Sequence, residues 1–155
     1  MKGEFVIEKR GIVPERLLQE MPEVSEKALY AGAVEWHEEI RPQHFEPGAK
    51  HRYSHTPRKR RYLARKRKYT GQAVDLVMTG ETMRRTRLRR IRSNPRRAKV
   101  LLPAGFNRRA KGSRVRMRDE VTLIIRSDER EIVNAYESKA RAMIAARSDQ
   151  QTKRI

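Results

Sequence analysis

The sequence predicts an α+β chain: a small antiparallel sheet packed against an N-terminal and a C-terminal helix, with a long basic extended arm between them. Three observations lead there. Leu29, Ala33, Trp36 and Ile40 step by three and four residues, the spacing of one helix face. Arg114–Arg126 alternates with period two, putting Val115, Met117, Val121, Leu123 and Ile125 on one face of a strand. Ile132, Tyr136, Ala140, Met143 and Ile144 then return to helical spacing.

Taken in order, GEFVIE at 3–8 reads as a short strand and PERLLQEM at 14–21 as a helical turn with Pro14 at a first helical position. The first long helix starts near Pro22 or Ser25, with Glu23 and Glu26 at its positive N-terminal end. It stops near Ile40, because Pro42 pushes the preceding residue out of the α region. Residues 41–73 read as a long basic loop or arm, punctuated by Pro42, Pro47, Gly48 and Pro57. RKRRYLARKRKY contributes at most a helical turn or two, with Tyr62 and Lys66 on one side, since its like charges oppose an isolated helix.

Val74–Met78 is an apolar run for the core, and Thr79-Gly80 turns the chain. Glu81–Ile91 reads as a short helix broken by Ser93-Asn94-Pro95, and Ala98–Leu102 as a strand. PAGFNRRAKGS is a long connection to the strand at 114–126, where Asp119 on the apolar face implies a bulge or an end. Asp128 and Glu131 have capping-box spacing for a last helix reaching about Arg147, followed by a tail at 148–155. The core set is Trp36, Leu123, Ile125, Ile132 and Tyr136, and 1–155 reads as one domain.

Charge separates the middle of the chain from its ends. The whole carries a formal net charge of +19. Residues 41–118 hold 26 Lys and Arg against three acids, Glu46, Asp75 and Glu81, so the two ends are slightly acidic. Such a middle repels itself when compact and calls for a polyanionic or acidic partner. The absence of cysteine excludes disulfides and thiolate metal sites. MKGEFVIEKRG lacks the apolar core of a signal peptide, and no apolar run reaches membrane-spanning length, so no membrane partner is expected.

The residues offer little catalytic chemistry. His37, His44, His51 and His55 lie close in sequence, and His51 with His55 would share a helix face suited to a metal. The prolines and Gly48 argue against that helix, and the cationic surroundings repel a metal ion. The four therefore read as loop histidines contacting neighbours or phosphate. Glu35, Glu38 and Glu39 have carboxylates for acid–base work but read as a solvated helix face. FNRRAK lacks phosphate-loop spacing, and Ser54, Ser93 and Ser113 lack a nucleophile's context. No enzyme activity, metal or cofactor is expected. The arm is different: Tyr53, Tyr62 and Tyr69 are interleaved with Arg and Lys, which suits nucleic acid. Arginine forks dock equally on acidic protein.

The run HFEPGAKHRYSHTPRKRRYLARKRKYTGQAVDLVMTGETMRR resembles small tailed-bacteriophage proteins of the head–tail joint: the tail-completion, neck and virion-morphogenesis proteins. Phe45, Tyr53, Pro57, Arg58, Tyr62, Lys66, Leu76, Val77, Thr79, Gly80 and Glu81 carry the likeness, within residues 30–92. Met83 departs from it, standing where a leucine is expected, as does the excess of arginine.

The resemblance implies a non-enzymatic virion protein of the neck region, assembled in the host cytoplasm. It would form a homo-oligomeric ring between portal or adaptor and tail proteins, with long loops crossing between subunits. The residues expected to contact neighbouring protein or packaged DNA are Arg58, Lys59, Arg60, Arg61, Tyr62, Arg65, Lys66, Arg67, Lys68, Arg84, Arg85, Arg87, Arg89, Arg90 and Arg92. The alternative is a nucleic-acid-binding protein, ribosomal-like or a DNA-packaging accessory.

Overall fold

Pro22 opens the first helix where its missing N–H costs nothing, and Glu23 follows in the first turn. In the computed structural model, which describes residues 3–8, 21–71, 81–87, 90–103, 106 and 116–152, this helix is α1, Pro22–Glu35. The other elements are strand β1 (Gly3–Glu8), helices α2 (Ala49–Arg52), α3 (Arg60–Thr70) and α4 (Glu81–Thr86), strands β2 (Ile91–Asn94) and β3 (Arg97–Leu102), and helices α5 (Met117–Val121) and α6 (Arg126–Thr152). The mixed architecture is the one expected, with helices towards both ends of the chain and antiparallel strands between. Backbone contacts divide the chain into two compact units.

The helix–sheet unit comprises Glu4–Trp36, Ile91–Leu101 and Arg126–Ile155. Its strands follow the order β1-β3-β2, with β2 antiparallel to β3 in the register Ile91↔Val100 and Asn94↔Arg97. Asn94 builds the hairpin turn: its Oδ1 accepts from the backbone N–H of Arg96 and of Arg97, at 3.0 and 2.9 Å. Alternation in β3 buries Ala98 and Val100. The start of α1 is bonded to this hairpin, Ser25 Oγ donating to the Pro95 carbonyl at 2.7 Å and Ser93 Oγ to Glu26 Oε1 at 3.3 Å.

α1 packs on α6 through small side chains. Val24, Ala28, Leu29, Ala33 and Trp36 are buried, as is Ile132 of α6. A Cβ on Gly32 would stand 3.3 Å from both Ile132 Cγ2 and the Ile132 carbonyl oxygen, so glycine sets how closely the two backbones approach.

The arm unit comprises Met1–Gly3, His37–Arg90 and Leu102–Ile125. Its apolar core is Ile40, Phe45, Ala49, Tyr53, Leu102, Phe106 and Val121. Buried among these are His37, Arg41, His44, His55, Lys66, Thr86 and Glu120.

Four expectations change. Pro42 does not stop the first helical segment; a π-helical stretch at Trp36–Ile40 precedes it and a last α-helical turn, Arg41–Gln43, contains it. A proline inside a helix lacks an N–H and crowds the carbonyl four residues back, and widening the preceding turn relieves both. The stretch at 41–73 holds three helical segments where a loop was expected. The short helix expected to reach Ile91 ends at Thr86, and Ile91 begins β2. The strand expected over 114–126 is helical at Met117–Val121. Of the expected core, Trp36 and Ile132 are buried, Ile125 and Tyr136 are half-buried, and Leu123 is exposed. The apolar run Val74–Met78, the turn at 79–80, most of the segment 14–21, Arg89, and the connection at 103–113 apart from Pro103 and Phe106 lie outside the described residues.

Candidate functional site

The basic segment is positioned by one buried carboxylate. Glu120, on α5, accepts the backbone N–H of Thr56 at 3.1 Å and Nη1 of Arg58 at 3.0 Å, while Arg58 Nη2 pairs with its second oxygen. Both partners are mostly out of water, at 13% exposure for the Arg58 side chain and 5% for Glu120. A two-pronged guanidinium–carboxylate pair fixes direction as well as distance. It is located two residues before α3 and sets where that helix begins.

α3 starts at an extended Lys59 and ends at Gly71, whose φ of 69° closes the helix in the left-handed conformation. Its cations are of two kinds. Lys66 is 1% exposed and its Nζ lies 5.8 Å from the centre of the Tyr62 ring. Arg60, Arg61, Arg65, Arg67 and Lys68 are exposed. Tyr62 and Tyr69 are also exposed, at 42% and 69%, and Arg65 lies 5.7 Å from the centre of the Tyr69 ring. These four-residue cation–ring pairs are local support that like-charge counting overlooks.

Beside the clamp three rings lie nearly parallel. His44 stacks on Tyr53 with centroids 3.7 Å apart and planes 20° apart, and His55 lies 5.8 Å from His44. Burial, then the neighbouring His55 and Arg52 charges, push the His44 imidazole down to about 3, against the backbone of Glu120 and Leu123, which favours its protonated form. His44 is therefore neutral at pH 7. Tyr53 Oη donates to Gln43 Oε1 at 3.4 Å, and Gln43 Nε2 donates to the Glu39 carbonyl at 3.0 Å.

In a π-helical register the donor for the His37 carbonyl would be Pro42, which has no N–H. Arg41 Nε fills that place at 2.8 Å. Burial and the Arg87 charge lower the Arg41 guanidinium to about 10, opposed by Glu38. Arg41 remains a cation at neutral pH.

The expected contact residues separate accordingly. Lys59, Arg60, Arg61, Tyr62, Arg65, Arg67, Lys68, Arg84, Arg85, Arg87, Arg90 and Arg92 are exposed. Arg58 is committed to Glu120, and Lys66 is buried inside the arm unit, so neither belongs to the exposed set. The histidines do not share one face: His51 is exposed, whereas His37, His44 and His55 are buried. Among the described residues no group of three or more His, Asp or Glu side chains is placed to hold a metal ion, and no helix is long and apolar enough to cross a membrane.

Sequence reasoning missed Glu120, Arg41 and the Tyr53 stack. Asp119-Glu120 interrupting the apolar alternation was the available signal for the first. Comparison with protein-family models, curated proteins and solved structures gives no match to this chain.

Proposed function

We propose that this chain is a structural component of the head–tail connector of a tailed bacteriophage, one subunit of a neck or tail-completion ring joining portal and capsid to tail. The observation that carries the reading is α3. It is a single-signed helix, held in place by Glu120, and no ion pair of the described residues engages its exposed cations. Exposed charge of one sign destabilises a solitary subunit and is useful in an assembly that supplies the opposite charge. A connector supplies it from the packaged DNA that passes through the ring and from the portal or tail proteins that it joins. The order of residues from Phe45 to Glu81 supports the same reading through its likeness to head–tail joint proteins.

Electron microscopy of the native particle, with the chain labelled, tests the reading. The expected result is a ring of label at the capsid vertex where the tail joins. Sedimentation of the protein as a monomer at all concentrations, with no association with portal or tail proteins, would overturn it.

A further inference from the structure

We propose that the outer face of α3 is a binding surface for the phosphate backbone of duplex DNA, read without regard to sequence. This surface needs only the one helix and stands apart from the ring assignment.

At 3.6 residues per turn, Arg67, Arg60, Lys68, Arg61 and Arg65 fall in that order around an arc of about 160° of α3. Leu63, Lys66 and Thr70 occupy the opposite, buried or half-buried side. Tyr69 and Tyr62 lie at the edge of the cationic arc, beyond Arg65. The helix is about 16 Å long, which gives roughly one exposed cation per 3 Å of axis. Duplex DNA carries about one phosphate per 3.4 Å of axis on each strand, a comparable axial charge density. Few protein surfaces place carboxylates so densely, and a stable protein interface needs a desolvated apolar centre. The outer face of α3 has only Ala64 to offer there.

The tyrosines favour backbone over base contact. Each is already attended by a cation four residues away on its own helix, Tyr62 by Lys66 and Tyr69 by Arg65. Both tyrosines are exposed beside the cationic arc, and a tyrosine hydroxyl donates to a phosphate oxygen. Clamping of Arg58 by Glu120 means that α3 is in place before any partner arrives, so binding does not first have to order the chain.

The test uses the full chain, freed of nucleic acid, and a fluorescently labelled duplex titrated at several salt concentrations. Arg61→Gln/Arg65→Gln/Lys68→Gln is expected to reduce the slope of log Kobs against log salt by about 2 to 3, close to one unit per lost phosphate contact. Arg130→Gln/Lys139→Gln on α6 is expected to leave the slope unchanged. Arg61→Lys/Arg65→Lys keeps the charge and is expected to keep the slope, which separates charge from misfolding. Two duplexes of unrelated sequence are expected to bind alike.

An unaltered slope in the triple glutamine variant overturns the proposal. So does displacement of the duplex by polyglutamate at equal charge concentration, which would make α3 a docking site for acidic protein. A monomer that binds duplex in this way would retain this inference and lose the ring.

Discussion

The helix–sheet unit and the arm unit solve burial in opposite ways. In the first, Ala28, Leu29, Ala33, Trp36, Ala98, Val100 and Ile132 make an apolar interior at regular spacings, with Ser25 and Asp128 as its buried polar side chains. In the second, Ile40, Phe45 and Val121 share the interior with three histidines, an arginine, a lysine and a glutamate. An apolar seam tolerates repacking, because its energy is spread over many weak contacts. A polar interior rests on a few pairings, each costly to leave unmade. The arm unit accepts that cost and gains fixed directions for a charged helix.

The largest effect sharpens the apolar side. Trp36→Ala is expected to lower unfolding free energy by about 4 kcal/mol, read by urea denaturation, because Trp36 is fully buried. A loss under 1 kcal/mol would mean that the seam does not depend on this ring. Glu120→Ala is next, at about 3 kcal/mol, because it strands Arg58 in a largely buried position. Its cost is expected to fall well short of additive with Arg58→Ala, which a double-mutant cycle measures. Additivity would break the claim that the polar interior is held by this pair.

The smallest effect is a pH dependence. His44 is neutral in the fold, with its ionisation at about 3, and titrates near 6.5 when unfolded. Between those values only the unfolded chain takes up the proton, so this contribution is fully present above pH 6.5 and falls as pH drops towards 3. By pH 5 the loss is about 2 kcal/mol. His44→Phe, a ring that does not titrate, is expected to flatten that part of the stability profile. An equally steep profile in the variant would place the titration elsewhere.

The apolar unit was also the more legible one. Leu29 and Ala33 mark the buried face of α1, and Trp36 and Ile40 continue it into the π-helical stretch. The spacing from Ile132 to Ile144 marks α6 as a helix, although of that set only Ile132 is buried and Ile144 is exposed. Ser93-Asn94-Pro95 reads in the sequence as the break after a short helix, and in the structure it makes the turn of the β2–β3 hairpin through the Asn94 side chain. The arm was harder. Its like charges argued against a helix, and the residues that answer them are not local. Glu120 lies 62 positions from Arg58. Alternation around Asp119 suggested a strand, whereas a helical turn points Glu120 at Arg58 and Thr56. The sequence names the basic residues, but which of them are exposed, the burial of Lys66 and the stack of His44 on Tyr53 depend on tertiary placement that no local pattern records.

That separation between Arg58 and Glu120 also has a consequence for how the protein is made. At about 5–20 residues per second, translation reaches the codon for Glu120 some 3–12 seconds after that for Arg58. For that interval the nascent basic segment has no clamp and emerges beside the ribosome's own RNA. A chain terminated before codon 120 would never acquire one, so premature termination there yields a fragment with its cationic stretch permanently unlatched.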